Sequence, residues 1–223
     1  MNSISKPMSQ QAPSIQFDFG LEIGYKAALA RFSEPVTLSG GTHFLLARNG
    51  RGKTTLLRTL AKTQKPVAGS FRTCGFLQYL PEDLRFDSTI TPALVFRMML
   101  PKSRFEEALA LAARIELDVK KPYGRLSTGN RRKTSLIMAE FSVKPDRGNI
   151  LLLDEPFSGL DAFARQAFEQ IWKESAESVL RLVSCHPDYD SMEMPSALMI
   201  EGQQARHLHA SGQTWSGLKS LMN

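Results

Sequence analysis

The chain has 223 residues, of which 42% are hydrophobic and 22% charged. These proportions are ordinary for a globular protein, so they exclude general disorder and a fibrous repeat, and the length suits one α/β domain with an inserted lobe. The excess of 28 Lys and Arg over 22 Asp and Glu favours an anionic partner such as phosphate, nucleic acid or anionic lipid.

Residues 1–14 are rich in Ser, Gln and Pro and are predicted to be a flexible leader, with the folded domain over 15–223. Cys74 and Cys185 have no ligand-like spacing, so we expect reduced thiols rather than a disulfide framework or a structural zinc site. The sequence offers no run of about 18 apolar residues. Any membrane role is therefore expected to depend on a partner.

The first third of the domain combines two kinds of strand. Residues 15–38 contain short apolar runs separated by Gly, Ser and Pro, which is typical of antiparallel strands and turns. The apolar run over 42–47 ends in a Gly-rich loop, and this pattern predicts a buried strand followed by a helix over 53–62.

The middle of the chain predicts a helical lobe inserted into the α/β core, over about residues 83–143. Thr91 before a proline suits a helix N-cap, and Ser103 with Glu106 forms a capping-box pattern. The predicted apolar stripe of the second helix consists of Phe105, Ala108, Leu109, Ala112 and Ile115.

The last third predicts a βαβ unit and therefore a parallel sheet. Buried strands are expected over 150–154 and 179–186, joined by a helix that Asp161 caps. From Ala197 onward we expect two short strands and a final helix. His207 and His209 alternate on the last strand, and two histidines are an incomplete metal-ligand set. The buried face of the joining helix is predicted to contain Phe163, Ala164, Ala167, Phe168, Ile171 and Trp172.

The stretch ARNGRGKTT over 47–55 is the most informative motif, because it follows a predicted strand and opens a predicted helix. In such a loop the backbone amides cradle phosphate, Lys53 reaches the β and γ phosphates, and Thr54 offers its hydroxyl to Mg²⁺. Ala47 stands where the motif usually has Gly. The residues expected to contact the nucleotide are Asn49, Gly50, Arg51, Gly52, Lys53, Thr54 and Thr55.

Two adjacent carboxylates, Asp154 and Glu155, follow the buried run over 150–153. The carboxyl edge of a parallel sheet is where α/β folds bind ligands. Asp154 is suited to hold Mg²⁺, and Glu155 is suited to polarise an attacking water. The phosphate loop and this acidic pair together predict an enzyme that hydrolyses MgATP.

With these motifs in place, the chain from about residue 25 to 186 resembles the P-loop nucleotide-binding domain of ABC ATPases. LSTGNRRK over 126–133 is similar to the family signature LSGGQ, and LLLDEPFSGLD over 151–161 includes the family's D-loop. The resemblance implies that two such chains pair head to tail. Each ATP then lies between the phosphate loop of one chain and the signature of the other, and the residues implied at that interface are Ser127, Gly129, Asn130 and Asp161.

Three more positions take roles from the resemblance. His186 is similar to the switch histidine that contacts the γ phosphate, although a strand-end histidine is the alternative. Tyr25 is similar to the aromatic residue that stacks on adenine, or else is a surface tyrosine of a β-sheet. Glu82 occupies the position that is commonly Gln in the Q-loop and would lie near Mg²⁺, with Gln78 as the nearby alternative.

The resemblance implies an ATPase subunit of an ABC transporter that binds ATP and Mg²⁺. Its partners would be a second ABC ATPase chain, most simply a copy of itself, and integral membrane permease subunits. It would be cytoplasmic and peripheral on the inner face of the cell membrane. The alternatives are a non-transport ABC ATPase acting on nucleic acid or ribosomes and a slow regulatory ATP-binding subunit. Because no aromatic residues accompany the basic run over 131–133, we expect no nucleic-acid contact.

Overall fold

The computed structural model describes residues 12–185 and 192–221. Within those residues an eight-stranded sheet and a three-stranded sheet form the framework. The strands, in chain order, are β1 (Ser14–Phe17), β2 (Glu22–Gly24), β3 (Ala28–Phe32), β4 (Val36–Ser39), β5 (Gly41–Ala47), β6 (Phe71–Cys74), β7 (Phe76–Leu80), β8 (Asn149–Asp154), β9 (Val179–Ser184), β10 (Ser196–Glu201) and β11 (Gln204–His209).

Helices cover both faces of the larger sheet and fill the segment between β7 and β8. They are α1 (Lys53–Leu60), α2 (Pro92–Met99), α3 (Phe105–Arg114), α4 (Thr128–Phe141), α5 (Ala162–Glu174) and α6 (Trp215–Lys219). Among the described residues, none of the helices combines the length and apolarity that crossing a bilayer requires.

The central strands are parallel, in the order β10, β5, β9, β8 and β7. Every residue of β8 and β9 is buried, as expected for strands with helices on both faces. Successive residues of β8 enter opposite cores. Ile150 and Leu152 pack with α1 in one core, whereas Leu151 and Leu153 pack with the other helices. The predicted α/β fold class with a mostly parallel sheet is confirmed.

The N-terminal part is antiparallel, as predicted, because β1 pairs antiparallel with β4 and with β6, and β2 pairs antiparallel with β3. β1 begins at Ser14, the last residue of the predicted leader. No pattern in the sequence predicts β6 and β7. Their residues are mostly half-buried and mix polar with apolar side chains, so neither a continuous apolar run nor a clean alternation marks them.

The helical segment agrees with the prediction except at one cap. Thr91 caps α2, its Oγ1 accepting from the backbone N–H of Leu94 at 3.3 Å. The predicted capping box at Ser103 is wrong, because a 3-10 turn over Lys102–Arg104 runs directly into α3 and leaves no side-chain cap there. Ser103 therefore lies inside a turn rather than before the helix.

The C-terminal third contains the predicted strands and helices, with one wrong detail. Asp161 caps α5, its Oδ1 accepting from the N–H of Ala164 at 2.7 Å. Phe163, predicted to be buried, is 55% exposed, since it lies in the first turn and the buried part of the helix begins one residue later. β10 and β11 form an antiparallel pair that leads to α6.

Candidate functional site

The loop between β5 and α1 lies at the carboxyl edge of the sheet, where its backbone is shaped to face a ligand. Gly50 and Gly52 have φ angles of 74° and 104°, a region that side-chain-bearing residues rarely adopt. Gly52 is also the N-cap of α1. The backbone N–H groups at the N-terminus of α1 are therefore available to an anion that binds over the loop.

An open cavity of about 450 Å³ lies over this loop. It has room for a small-molecule ligand, and it gathers residues from four separate parts of the chain. Its lining consists of Tyr25, Leu29, Arg48, Asn49, Gly50, Gly52, Lys53, Thr54, Thr55, Glu82, Glu155 and Ser158.

Lys53 lies at the base of the cavity and is largely buried. Its Nζ donates to the carbonyl oxygen of Ala47 at 3.2 Å and lies 3.7 Å from Oε1 of Glu155. A buried ammonium needs such partners, because desolvation is costly for a charge. The contacts hold the cation between the loop backbone and the acidic pair, where a phosphate would meet it.

Asp154 stands behind the cavity with only 1% of its surface exposed. Its Oδ1 accepts from the Ser184 hydroxyl at 2.6 Å, and its Oδ2 accepts from the Tyr79 hydroxyl at 3.4 Å. Burial, together with the Asp154 charge, raises the pKa of Tyr79 to about 12, so the phenol stays a hydrogen-bond donor at neutral pH. These partners fix the carboxylate, as outer partners of metal ligands do. Asp154 and the hydroxyl of Thr54 are hard oxygen donors of the kind that Mg²⁺ takes.

Glu155 has an unusual backbone conformation, with φ at 47°, a left-handed angle that is uncommon for a residue with a side chain. Its N–H donates to the same Ser184 hydroxyl at 3.0 Å. One serine on β9 therefore contacts both acidic residues. The turn directs the Glu155 carboxylate toward Lys53 and into the cavity while Asp154 stays buried.

Glu82 and Gln78 have different surroundings, which separates the two alternatives for the Q-loop. Glu82 lines the cavity. Gln78 lies within β7, where its Oε1 accepts from the Ser142 hydroxyl at 2.6 Å. The geometry brings Glu82, and not Gln78, to the phosphate loop.

The signature segment is well ordered by its own neighbours but lies apart from the cavity lining. Ser127 caps α4, its Oγ accepting from the N–H of Asn130 at 3.3 Å. A Cβ atom on Gly129 would lie 2.5 Å from the carbonyl oxygen of Gly159, so glycine is required for this close approach. Across the same contact, Lys133 Nζ lies 2.7 Å from Oδ2 of Asp161, and this hydrogen bond holds the pKa of Asp161 below its usual value.

The cavity therefore brings together most of the predicted site residues, but not all. Tyr25, 68% exposed, is on its wall. Arg51 lines a neighbouring cavity instead, Asp154 is behind the wall, and the signature residues and Asp161 are outside the described lining. His186 lies outside the described residues. The lining residues that the sequence analysis did not assign to the site are Leu29, Arg48 and Ser158.

Of these three, Arg48 and Ser158 lie inside the quoted motifs, so a residue-by-residue reading of each loop could have found them. Leu29 lies in β3, which is far from the motifs in sequence. Only the pairing of β3 with β2 and β11 brings it to the cavity.

Comparisons with known proteins agree with this geometry. A family model described as ABC transporter matches residues 36–158. The chain is similar to the cytochrome c biogenesis ATP-binding export protein CcmA of Ruegeria sp. (strain TM1040), with 36% identity over 158 residues that cover 68% of this chain and 73% of CcmA. It is also similar to the ABC transporter ATP-binding protein YtrB of Bacillus subtilis (strain 168), with 32% identity over 151 residues, 61% of this chain. The chain spans 50% of the length of YtrB.

Solved structures share the fold. A structure described as the ATP binding subunit of an ABC transporter superposes with a TM-score of 0.70 at 20% identity, and the match covers 89% of this chain and 90% of that one. At this identity the likeness supports the fold alone.

Proposed function

This chain belongs to the ABC transporter family, and from that premise we propose that it is the ATP-binding and ATP-hydrolysing subunit of a transporter. The observation that carries the proposal is the convergence of Lys53, the amide-lined loop and Glu155 on one cavity. A cation, a row of amides and a carboxylate at such distances suit phosphoryl transfer, which depends mainly on positioning and charge stabilisation.

Within the cavity each residue has a proposed task. The amides of loop 49–55 and Lys53 bind the phosphates, and Tyr25 stacks on the base. Thr54 and Asp154 would hold Mg²⁺, with Glu82 beside them, and the ion when bound offsets charge on the phosphate oxygens. Glu155 orients and polarises the attacking water. His186 stays a predicted γ-phosphate contact.

The other half of the site is proposed to come from a second copy of the chain. Ser127, Gly129 and Asn130 are outside the described lining of their own chain's cavity. Ser127 and Thr128, at the N-terminus of α4, are exposed. Such an N-terminus suits the γ phosphate of a nucleotide held by a neighbour. Asp161, bound to Lys133, would lie at the same interface.

A complementation experiment tests the composite site. Lys53→Ala disables the phosphate loop and Ser127→Ala disables the signature, so each variant alone should be inactive. In an equal mixture, half of the dimers are mixed, and each mixed dimer keeps one site in which both halves are intact. We therefore expect ATPase activity to return to about a quarter of the unaltered level if pairing is random and closed dimers form.

The matched control is the sum of the two variants assayed separately at the same total concentration. Full hydrolysis by Ser127→Ala alone would contradict the composite site. No hydrolysis by the unaltered chain, either isolated or assembled in membranes, would contradict the enzymatic part and favour a regulatory ATP-binding subunit.

Transport itself is proposed to require integral membrane permease subunits on the inner face of the cell membrane. Helix α2 offers a surface for them, since Leu94, Met98 and Met99 are exposed. Exposed apolar side chains grouped on one short helix mark a contact surface. Met98→Glu should reduce co-purification with a membrane subunit while ATP binding by the isolated chain is kept, and Glu107→Lys on α3 is the charged control. Equal assembly by Met98→Glu and the unaltered chain would refute this surface.

A further inference from the structure

The first turns of α4 carry three consecutive basic residues, and they have different surroundings. Arg131 donates through Nε and Nη2 to the carbonyl oxygens of Tyr123 and Gly124 at 3.2 and 3.0 Å. Arg132 turns toward the candidate site and is only 8% exposed. A charge buried to this extent is costly unless other groups compensate it.

One hydrogen bond and the charges of nearby carboxylates compensate Arg132. Its Nη2 donates to the backbone carbonyl of Glu82 at 2.9 Å, which ties α4 to the loop after β7. The carboxylates of Glu82, Asp154 and Glu155 also attract it. These are the three acidic residues assigned to the nucleotide and metal site. A guanidinium stays charged even where burial lowers its pKa.

The charge of the site makes this contact informative. Glu82 occupies the Q-loop position, where ABC ATPases commonly have a neutral glutamine. The site therefore has one carboxylate more than the usual Q-loop sequence would give it. ATP is itself an anion, and an extra carboxylate beside the phosphates would repel it. A buried cation nearby removes that difficulty.

We propose that Arg132 is a positioning residue that fastens the Glu82 loop to α4 and offsets the Glu82 charge, so that the cavity accepts both an anionic nucleotide and a divalent cation. This inference rests on the proposed function. Arg132 acts through Glu82 and through the field at Asp154 and Glu155, in the same chain. It is distinct from the signature residues, whose proposed contact is with a neighbour.

Removing the Arg132 charge makes the site more negative, and this should move two binding constants in opposite directions. In Arg132→Gln, binding of Mg²⁺-free ATP should weaken by about 3- to 10-fold, as expected for one unit charge at several ångströms in a partly buried site. The Mg²⁺ concentration that half-saturates the ATP-bound protein should fall in the same variant. A purely structural role for Arg132 would weaken both constants together.

The experiment is calorimetric ATP titration of the full chain in EDTA, followed by a Mg²⁺ titration of the ATP-bound protein. Arg131→Gln is the matched control, since it removes the same charge one residue away, and both constants should stay within about 2-fold. Glu82→Gln/Arg132→Gln removes one charge of each sign and should return ATP affinity toward the unaltered value. Arg132→Lys keeps the charge and should retain most of that affinity.

Equal effects of Arg131→Gln and Arg132→Gln, or a double variant that binds ATP as weakly as Arg132→Gln does, would overturn the inference while leaving the proposed function intact. Absence of ATP binding by the unaltered chain would overturn both. If Arg132→Gln fails to fold, recovery of folding in the double variant would support the charge balance. Failure of both variants to fold would assign Arg132 a purely structural role and reject the inference.

Discussion

The phosphate loop and the signature segment lie on one chain but differ in how complete they are. The loop has its partners within reach, because Lys53 and Glu155 face each other across 3.7 Å in a cavity that Tyr25 and Glu82 help to enclose. The signature is equally well built, with Ser127 as a helix cap and Gly129 packed on Gly159. The signature residues Ser127 and Gly129 do not, however, belong to the described lining of that cavity. Under the proposed function, the chain itself completes the phosphate-loop half of the nucleotide site and presents the signature half to a second copy.

The largest expected effect concerns the finished half. Glu155→Gln removes the proposed base but keeps the shape of the side chain, so ATP hydrolysis should fall by about 100-fold or more. ATP should still bind, and a nucleotide-bound dimer should accumulate in size-exclusion chromatography. Glu34→Gln changes an exposed carboxylate that is not part of the described cavity lining, so it is the control and should hydrolyse ATP normally. Undiminished hydrolysis by Glu155→Gln would refute the assigned base.

The second effect concerns how the signature helix is joined to the sheet. Arg181 on β9 makes a bidentate, fully buried ion pair with Glu140 near the end of α4, at 3.1 and 2.7 Å, and Trp172 donates to the same carboxylate. Glu140→Gln would leave a buried guanidinium without its counter-charge. We expect a loss of about 3–5 kcal/mol in the free energy of unfolding.

Urea denaturation measures this loss, and Glu169→Gln, which breaks a partly exposed ion pair on α5, should cost about 1 kcal/mol or less. A similar small loss in Glu140→Gln would show that the signature helix does not depend on this anchor. The order of the signature segment would then have to come from the Ser127 cap and its neighbours at the N-terminus of α4 alone.

A smaller effect should arise where the signature meets the D-loop. In Gly129→Ala the new methyl group would lie 2.5 Å from the carbonyl oxygen of Gly159, so one of the two backbones has to shift. We expect a loss of about 1–3 kcal/mol in the free energy of unfolding, the usual cost of overpacking. ATP binding by the isolated chain should be unchanged, because the contact is outside the cavity. Weaker binding of ATP by the monomer would contradict the separation of the two halves.

The smallest effect is a pH dependence of stability at His43, which lies on the strand that feeds the phosphate loop. His43 on β5 is buried between the Ser39 carbonyl, 2.6 Å from Nε2, and the Ser196 hydroxyl, 2.6 Å from Nδ1. The carbonyl can only accept, so Nε2 carries the proton and neutral Nδ1 accepts from Ser196. Burial lowers the pKa of His43.

Protonation of neutral His43 is less favourable in the folded chain than in the unfolded chain. The contribution of His43 to the free energy of unfolding is therefore fully present above pH 6.5 and falls as the pH drops below that value. The loss is limited to about 1.4 kcal/mol per pH unit for one histidine. Urea unfolding at pH 7.5 and 5.5 measures it, and His43→Gln should reduce the slope. An unchanged slope in that variant would assign the acid sensitivity to other groups.

Much of the fold was accessible from sequence where a local pattern coincided with burial. The all-buried β8, the amphipathic α5 and the Thr91 cap each leave a short-range signature. The strands β6 and β7 do not, because half-buried strands with mixed residues lack a clear period. The wrong cap at Ser103 has a similar origin, since the pattern cannot tell a helix start from a 3-10 turn that precedes it.

The candidate site divides in the same way. The phosphate loop and the acidic pair are contiguous motifs, and their residues could be named individually. The contacts that organise them are not contiguous: Ser184 supports the acidic pair from another strand, and Arg132 reaches Glu82 across 50 positions. The contact of Ser184 with the acidic pair follows only from the pairing register of β8 and β9, which places Asp154 beside Ser184.

The left-handed backbone at Glu155 has an evolutionary consequence. With φ at 47°, a residue with a Cβ atom pays about 1–2 kcal/mol in local strain that glycine would avoid. Replacing Glu155 by Gly would relieve this strain but would also take one carboxylate partner from the buried Lys53, and the protein would turn over no ATP. Backbone strain alone disfavours a side chain at this position, so the persistence of a carboxylate here in a lineage would report a continuing demand for the charge beside Lys53.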